Sequence, residues 1–223
     1  MVDGREAKDR LYEAFARTAK AVASPKRIEL LELLAQGERT VDALAGVTGM
    51  GVTNTSAHLQ ILARARLVEN RKEGTKVFYR LASDDVAAFV VVLRDLARSR
   101  LAEVEQVVRD YFGSRDALES ISREELLIRA GKGKVVILDV RPTVEFVAGH
   151  IPGALSVPLG ELDAALARLP KRTEIVAYCR GPYCVLAPQA VERLAAKGYR
   201  ARRLVDGFPE WRLAGLPMAA GEE

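Results

Sequence analysis

Apolar residues in the first part of the chain recur with the period of an amphipathic helix. They are Leu11, Phe15, Ala19, Val22, Ile28, Leu31 and Leu34. The pair Ser24-Pro25 interrupts this pattern, because serine favours the N-cap of a helix and proline its first position. Gly37 ends the second stretch. The pattern therefore predicts two consecutive helices that are separated at Ser24.

Shorter apolar stretches follow, separated by glycines and polar residues. In order, they predict a helix over residues 40–45, a turn over residues 46–51, a helix over residues 52–65, and strands over residues 67–71 and 77–81. Thr40 opens the first of these helices, and Gly74 lies in the connection between the strands. Helices followed by a β-hairpin in this order predict a winged helix-turn-helix domain.

Residues 84–111 contain no proline and are apolar on one face, which predicts one long helix. The apolar residues are Val86, Phe89, Val90, Leu93, Leu96, Leu101, Val104, Val107 and Val108. A small domain cannot bury so long a face alone, so we predict that the 84–111 helix forms a homodimer interface. A stalk that connects two halves of the chain is the alternative.

The pattern changes after Phe112-Gly113-Ser114-Arg115. Strands are predicted over residues 135–139, 174–178 and 201–205, and helices over residues 162–169 and 185–197. Alternating strands and helices favour a mostly parallel sheet. The sequence thus predicts two domains: a mainly α winged helix-turn-helix over residues 1–113 and an α/β fold over residues 114–223.

Composition adds limits to this picture. The chain has 223 residues, of which 49% are hydrophobic and 29% charged, enough for two modest cores. It contains no run of eighteen or more apolar residues, and its first residues are too polar for a signal peptide. We therefore expect a cytoplasmic protein without a membrane partner.

Positive charge is concentrated in one stretch. Residues 51–80 hold six basic and two acidic residues, an excess equal to the net charge of +4 for the whole chain. The basic residues are Arg64, Arg66, Arg71, Lys72, Lys76 and Arg80. Such a surface attracts the phosphate backbone of DNA, although a merely solvated surface has the same composition.

Several motifs in this half have a fixed order and spacing. They are Ser24-Pro25-Lys26-Arg27-Ile28, Ser56-Ala57-His58-Leu59, Leu67-Val68 and the hairpin over residues 71–79. Together they make residues 16–81 resemble the ArsR-type winged-helix repressors. The resemblance implies a regulator that binds double-stranded operator DNA.

A helix that enters the major groove needs small polar side chains near its start and cations nearby. The candidates for base contacts are Thr53, Asn54, Thr55, Ser56, His58 and Gln60, and those for phosphate contacts are Arg64, Arg71, Lys72 and Lys76. There are alternatives to DNA contact, in which the polar residues face solvent without a binding role, His58 is packed as a structural residue, and Arg66 caps the end of the helix.

The chain departs from many ArsR-type repressors in its metal ligands. These proteins sense metals through cysteines before the turn or through His and Asp on the dimer helix. Here residues 38–42 contain no cysteine, and the 84–111 helix contains no histidine. We therefore expect no metal site and no cofactor, and the regulatory signal must come from elsewhere.

Both cysteines of the chain lie in one short loop between a predicted strand and a predicted helix. The loop is Cys179, Arg180, Gly181, Pro182, Tyr183 and Cys184. Backbone N–H groups, the N-terminus of the following helix and the charge of Arg180 are all expected to lower the pKa of a thiol there. The sequence therefore predicts a reactive sulfur at Cys179.

A second set of motifs surrounds this loop. It comprises Leu138-Asp139-Val140-Arg141-Pro142, Gly149-His150-Ile151-Pro152-Gly153-Ala154, Cys179-Arg180-Gly181 and Asp206-Gly207-Phe208-Pro209-Glu210-Trp211. Over residues 121–218 the chain resembles the rhodanese, or sulfurtransferase, domain. The resemblance implies that Cys179 accepts a sulfane sulfur as a persulfide and passes it to a thiol or to cyanide.

Three further residues have two interpretations each. Asp139 and Arg141 end a strand at the same sheet edge as Cys179, where they act in catalysis or form a structural ion pair. Cys184 departs from the basic or hydroxylic residue found there in many rhodaneses. It is either a resolving thiol or a small packed residue.

These observations favour a homodimeric DNA-binding repressor that senses sulfur species or oxidants at Cys179. A small sulfur donor or acceptor is then its chemical partner. One alternative is a thiosulfate or persulfide sulfurtransferase that uses the DNA-binding domain for localisation or autoregulation. An arsenic-linked regulator, in which the paired thiols bind trivalent arsenic, is a third hypothesis.

Overall fold

The computed structural model describes residues 3–112 and 120–221. They form two compact units that divide between Val90 and Val91, inside a helix. The domain joint predicted between residues 113 and 114 lies outside the described residues, and it stays a prediction.

The first unit contains four helices and a small sheet. Its elements are α1 (Gly4–Val22), α2 (Pro25–Leu34), β1 (Arg39–Thr40), α3 (Val41–Thr48), α4 (Val52–Arg64), β2 (Val68–Glu73) and β3 (Lys76–Leu81). The strands are antiparallel in the order β1-β3-β2. The core centres on Leu30, Leu31, Leu44, Leu59 and Leu62, which are fully buried. This arrangement confirms the winged helix-turn-helix.

Local signals set the helix ends. Ser24 occupies the N-cap of α2 with Pro25 in the first turn, and the Thr40 hydroxyl accepts from the Ala43 N–H at 3.2 Å. The predicted turn over residues 46–51 is too long, because α3 continues to Thr48. The helix ends at Gly49, whose φ of +67° suits glycine.

Arg66 ends α4 in a left-handed conformation with φ 58°. Its N–H donates to the Ala63 carbonyl at 2.9 Å, and the Leu67 N–H donates to the Leu62 carbonyl at 3.0 Å. This hydrogen-bond pair is the Schellman motif. Arg66 therefore has the structural role that the sequence offered as an alternative.

The single long helix predicted over residues 84–111 is wrong. The structure has α5 (Asp84–Arg100) and α6 (Ala102–Phe112), interrupted at Leu101. The Leu101 N–H still bonds to the Ala97 carbonyl, but the Val104 N–H bonds to the Leu101 carbonyl three residues back, which tightens the turn. No residue type at this point explains the interruption.

The second unit is built on a five-stranded sheet with the order β4-β8-β7-β5-β6, parallel throughout. In chain order its elements are β4 (Ser120–Ile121), α7 (Arg123–Ala130), β5 (Val135–Asp139), α8 (Thr143–Ala148), β6 (Leu155–Ser156), α9 (Leu162–Ala165), β7 (Glu174–Tyr178), α10 (Leu186–Ala196), β8 (Ala201–Leu204) and α11 (Phe208–Leu213). The predicted parallel α/β fold is confirmed. The helix predicted over residues 162–169 is shorter, because 3-10 turns flank α9.

Both faces of this sheet are buried, as expected for central parallel strands. Along β7, Ile175 and Ala177 face a core that includes α9 and α10. Val176 and Tyr178 face a second core that includes α7, α8 and α11. The chain leaves β7 between these two cores, so Cys179 begins its loop in a desolvated position.

A buried ionic network lies at the end of β5 and β7. Arg141 bonds to both oxygens of Asp139, with Nε–Oδ1 at 2.9 Å, and donates to the Gly149 carbonyl at 2.7 Å. The Tyr178 hydroxyl donates to Asp139 Oδ2 at 2.5 Å and accepts from the Ile151 N–H at 3.2 Å. Burial raises the pKa of Tyr178. The network therefore connects two strands to the segment that follows α8.

We expect the substitution Asp139→Asn to destabilise the second unit by about 3–5 kcal/mol, because it leaves the buried Arg141 charge uncompensated. Urea unfolding followed by the fluorescence of Trp211, the single tryptophan, measures this cost in the correct unit. Asp163→Asn is the matched control. Asp163 lies 3.9 Å from Arg193 in an exposed pair, so its loss is expected to cost at most about 1 kcal/mol. Equal costs for the two variants would contradict this account.

Candidate functional site

The cysteine loop spans the carboxyl end of β7 and the start of α10. Cys179 follows Tyr178 directly, and Val185 is the N-cap of α10. Within the loop the Cys184 N–H donates to the Gly181 carbonyl at 3.1 Å. From outside, the Phe208 N–H donates to the Cys179 carbonyl at 3.0 Å. Both cysteines are free thiols.

The Cys179 thiol is almost inaccessible, with 3% of the residue exposed. Its sulfur lies 3.6 Å from the Cys184 carbonyl oxygen and 3.8 Å from that of Gly181. Burial raises the pKa of Cys179, whereas the N–H groups of Gly181 and Ala187 favour its thiolate. The expected effect of the backbone is present, but the predicted lowering of the pKa of Cys179 is wrong because desolvation outweighs it.

The lowered pKa belongs to Cys184 instead. The neighbouring Cys179 side chain is the main cause that lowers the pKa of Cys184 to about 7. The N–H groups of Leu186 and Arg180 and the charge of Arg180 act in the same direction. Of the two thiols, Cys184 is therefore the one whose thiolate is favoured.

Arg180 fixes the loop to α8. Its Nη2 lies 2.6 Å from Glu145 Oε1, and its Nε lies 3.0 Å from the same oxygen. Glu145 is fully buried, so this contact is a charge-assisted pair in a low-dielectric setting. Arg180 thus holds the loop in place while its charge acts on Cys184.

Gly207 lies directly against the loop. A Cβ at this position would be 2.2 Å from the Gly181 nitrogen and 2.4 Å from the Arg180 carbonyl carbon. Only glycine permits this approach. Neither Gly207 nor Glu145 is among the site residues predicted from the sequence. Gly207 lies in the motif Asp206–Trp211, and this motif is the signal that indicates it.

The other loop residues, Gly181, Pro182 and Tyr183, are partly buried. Asp139 and Arg141 are fully buried in the ionic network that contains Tyr178. Their contacts support the structural alternative, in which the pair holds the strand end that precedes Cys179.

The nucleic-acid candidates lie on α4. Thr53, Asn54 and Gln60 are exposed, and Ser56 and His58 are half-buried. Thr55 differs, because it is fully buried and its hydroxyl donates to the Gly51 carbonyl at 3.1 Å. Thr55 is therefore a core residue and does not present its side chain to DNA.

The burial of the His58 side chain bears on its two interpretations, contact with DNA and packing in the domain. His58 is half-buried, and its Nδ1 is buried without a hydrogen-bond partner among residues 3–112 and 120–221. This burial supports a packing role for one edge of the ring.

The cationic candidates lie on the end of α4 and on the hairpin. Arg64, Lys72 and Lys76 are exposed. Arg71 is also exposed, but it pairs with Glu38 and Glu73 at 2.5 and 2.6 Å and packs over Phe78. Exposed pairs of this kind contribute little stability, about 0–1 kcal/mol, so Arg71 can exchange them for a phosphate.

Comparison with known families agrees with both halves of this description. Residues 24–70 match the family described as "Bacterial regulatory protein, arsR family", and residues 122–214 match "Rhodanese-like domain". These matches define a helix-turn-helix regulator joined to a sulfurtransferase-type fold. The chain is 47% identical over 221 residues to the HTH-type transcriptional regulator Rv0324 of Mycobacterium tuberculosis, covering 99% of this chain and 97% of that protein. It therefore belongs to the ArsR-family transcriptional regulators, in a form that carries a rhodanese-like domain.

Partial relatives match each half separately. A sulfurtransferase of Allochromatium vinosum is 34% identical over 89 residues, covering 40% of this chain and 81% of that protein. Among solved structures, the homodimeric winged helix-turn-helix DNA-binding domain of a Mycobacterium bovis protein is 44% identical. It covers 45% of this chain and 94% of that fragment, with a TM-score of 0.42.

Within residues 3–112 and 120–221, no helix is both long enough and apolar enough to cross a membrane. In the same ranges, no three His, Cys, Asp or Glu side chains are grouped to hold a metal ion.

We expect Lys72→Ala and Lys76→Ala each to weaken DNA binding by a similar factor for all sequences. Each change should also reduce the slope of log affinity against log salt by about one unit, because one phosphate contact is lost. Fluorescence anisotropy with a labelled duplex over a salt series measures both quantities. Lys132→Ala, an exposed lysine in the second unit, is the matched control. A slope that is unchanged in both hairpin variants would contradict the assignment.

We expect alkylation of the protein by iodoacetamide to accelerate with an inflection near pH 7. Below this pH the Cys184 thiol is protonated and unreactive, and above it the thiolate reacts. Cys184→Ser should move the inflection to higher pH, because burial raises the pKa of the remaining Cys179 thiol. Cys179→Ala should also raise it, because it removes the side chain that lowers the pKa of Cys184. Retention of the inflection near pH 7 in Cys184→Ser would reverse the assignment of the two thiols.

Proposed function

We propose that this regulator is a homodimeric cytoplasmic repressor that senses sulfane sulfur species or oxidants through Cys179. One observation carries the proposal: both cysteines of the chain lie in one loop of the rhodanese-like unit, with the Cys179 sulfur 3.6 Å from the Cys184 carbonyl oxygen. An ArsR-family regulator needs a signal, and this loop concentrates all the thiol chemistry of the chain.

The lowered pKa of Cys184, five residues from Cys179 in the same loop, supports a proton transfer between the two thiols during modification. Cys184, with its pKa lowered to about 7, accepts the proton of Cys179 while Cys179 attacks the terminal sulfur of a polysulfide. A sulfur–sulfur bond forms between Cys179 and that sulfur, and the shortened polysulfide leaves as the thiolate. The product is a Cys179 persulfide held by the N–H groups of Gly181 and Ala187.

Cys184 then acts as a resolving thiol. After Cys184 loses its proton to solvent, its thiolate attacks the Cys179 sulfur, which forms a Cys179–Cys184 disulfide and releases hydrosulfide as the leaving group. If both cysteines carry a sulfane sulfur, attack of one persulfide on the other gives a bridge with one additional sulfur, again with release of hydrosulfide. The second product requires two equivalents of donor.

The dimer is supported by apolar side chains that a single chain leaves in water. On α1, Leu11, Tyr12 and Phe15 are 57–62% exposed, and on α5, Val92 and Leu96 are 64% and 55% exposed. Exposed apolar faces of this length on two helices are typical of surfaces that a second copy covers. The segment 84–111 is therefore proposed as part of the dimer interface.

The test measures mass and DNA binding on one sample, before and after inorganic polysulfide. The DNA is a duplex that the reduced protein itself selects from a random-sequence pool. We expect a sulfur adduct or a Cys179–Cys184 link together with a change in affinity, and neither the link nor the change in affinity in Cys179→Ser. Cys184→Ser should form the Cys179 persulfide more slowly, because its proton acceptor is lost, and should form no link between the two cysteines. An unchanged affinity in a fully modified wild-type sample would overturn the sensor.

That last result would favour the second candidate, a sulfurtransferase whose DNA-binding domain serves localisation or autoregulation. The match to a sulfurtransferase over residues of the rhodanese-like unit favours this candidate specifically. It predicts turnover of thiosulfate or a persulfide donor with cyanide or a thiol as acceptor, abolished by Cys179→Ala. The absence of turnover with every donor would exclude it and leave the sensor untouched.

A further inference from the structure

A buried carboxylate lies next to the cysteine loop and is held from two sides. Glu210, in the first turn of α11, is 8% exposed. Its Oε2 accepts from the Gly207 N–H at 3.0 Å, and its Oε1 accepts from Arg94 Nη1 at 2.7 Å. Hydrogen bonds to a carboxylate in such a setting are stronger than neutral ones. Glu210 therefore connects Arg94 to the backbone of Gly207.

Gly207, which is hydrogen-bonded to Glu210, also packs directly against the cysteine loop. Its α-carbon is so close to Gly181 and Arg180 that no side chain fits between them. The next residue, Phe208, donates its N–H to the Cys179 carbonyl at 3.0 Å. Because packed backbones at this distance cannot slide independently, a shift of the loop must move Gly207, and with it Glu210.

Arg94 also approaches the loop directly. Its guanidinium carbon lies 5.8 Å from the centre of the Tyr183 ring. Its Nη1 would lie 3.7 Å from a Cβ placed on Gly181. The Arg94 side chain is 17% exposed. Arg94, Glu210 and the loop all belong to the second unit, so these contacts lie inside one compact body.

Arg94 lies in the helix that connects the two units along the chain. This helix, α5, begins at Asp84, separated from the last hairpin strand, β3, by Ala82 and Ser83 alone. A helix with continuous backbone hydrogen bonds transmits a displacement along its axis better than a loop does. Within the described residues, α5 is the helix that extends from the first unit into the second.

We propose that Arg94 is a positioning residue that couples the state of the cysteine loop to α5. This inference rests on the proposed sensor function and names the side chain that carries its signal. A disulfide places its two sulfurs about 2.05 Å apart, whereas the two cysteines are unlinked here. A Cys179–Cys184 link therefore forces residues 180–183 to rearrange. The contacts of Arg94 with Tyr183 and with Glu210 change together, and α5 receives the change at Arg94.

The test compares Arg94→Met with Arg98→Met in the full-length protein. Met keeps the length of the side chain but removes its charge, and Arg98 is an exposed arginine one turn further along α5. Three quantities are measured: adduct mass after inorganic polysulfide, DNA affinity of the reduced protein, and the ratio of affinities before and after treatment. Coupling between sites in proteins is typically about 5–150-fold, and we expect the wild-type ratio in that range.

We expect Arg94→Met to form the sulfur adduct to the wild-type extent and to bind DNA normally when reduced. Its affinity ratio should nevertheless fall to about one, since the coupling is lost. Arg94→Lys, which keeps a cation near Glu210, should recover part of the ratio, and Arg98→Met should keep all of it. If Arg94 had only a structural role, its replacement would not lower the affinity ratio while leaving the adduct mass and the DNA affinity of the reduced protein unchanged.

The outcomes separate this inference from the function on which it rests. If the wild-type protein is modified without any change in affinity, the sensor function fails. If the wild type responds and Arg94→Met responds equally, the role of Arg94 is overturned and the sensor stands. Loss of the adduct in Arg94→Met would also overturn it, because Arg94 would then control reactivity. Should Arg94→Met fail to fold, Glu210→Gln weakens the same contact without changing its shape, and a wild-type ratio in that variant would refute the coupling.

Discussion

The ion pair of Asp139 and Arg141 is the constraint on which the second unit depends. Both side chains are removed from water, and each needs the other to remain charged there. Tyr178 adds a hydrogen bond from the neighbouring strand, and Gly149 adds a carbonyl from the segment after α8. Because Tyr178 directly precedes Cys179, the network fixes the point from which the cysteine loop leaves the sheet. A rigid strand end in turn gives the loop a defined direction against Gly207.

Two opposing effects act on the pKa values of the two thiols in the cysteine loop. Desolvation penalises a thiolate on Cys179, whereas the N–H groups and the charge of Arg180 favour one on Cys184. The pKa is accordingly raised at the buried Cys179 and lowered at the more accessible Cys184. This division of roles suits a site in which one cysteine is modified and the other supplies or removes the proton. The pKa of each cysteine in the loop therefore depends on the presence of the other.

Much of the fold follows from local pattern, and the site follows less completely. The strands over residues 135–139 and 174–178 have the predicted bounds, since continuous apolar runs leave few alternatives for a central parallel strand. The interruption at Leu101 has no marker in the sequence, and the burial of Thr55 depends on which side of α4 meets the core. The pKa of Cys179 was predicted in the wrong direction because the sequence indicates the N–H groups of a loop but not the depth of its sulfur. The contact between Arg94 and Glu210 joins residues far apart in the chain, which no local pattern encodes.

The burial of Cys179 also limits which molecules can reduce this cysteine after it has been modified. With 3% of its residue exposed, Cys179 favours reaction with small inorganic sulfur species over direct contact with the active site of a reducing enzyme. Restoration of the thiol then has to start from outside, at Cys184. If the regulator senses sulfur as proposed, small diffusible thiols set the lifetime of the modified state, and the modification persists as a record of recent sulfur exposure.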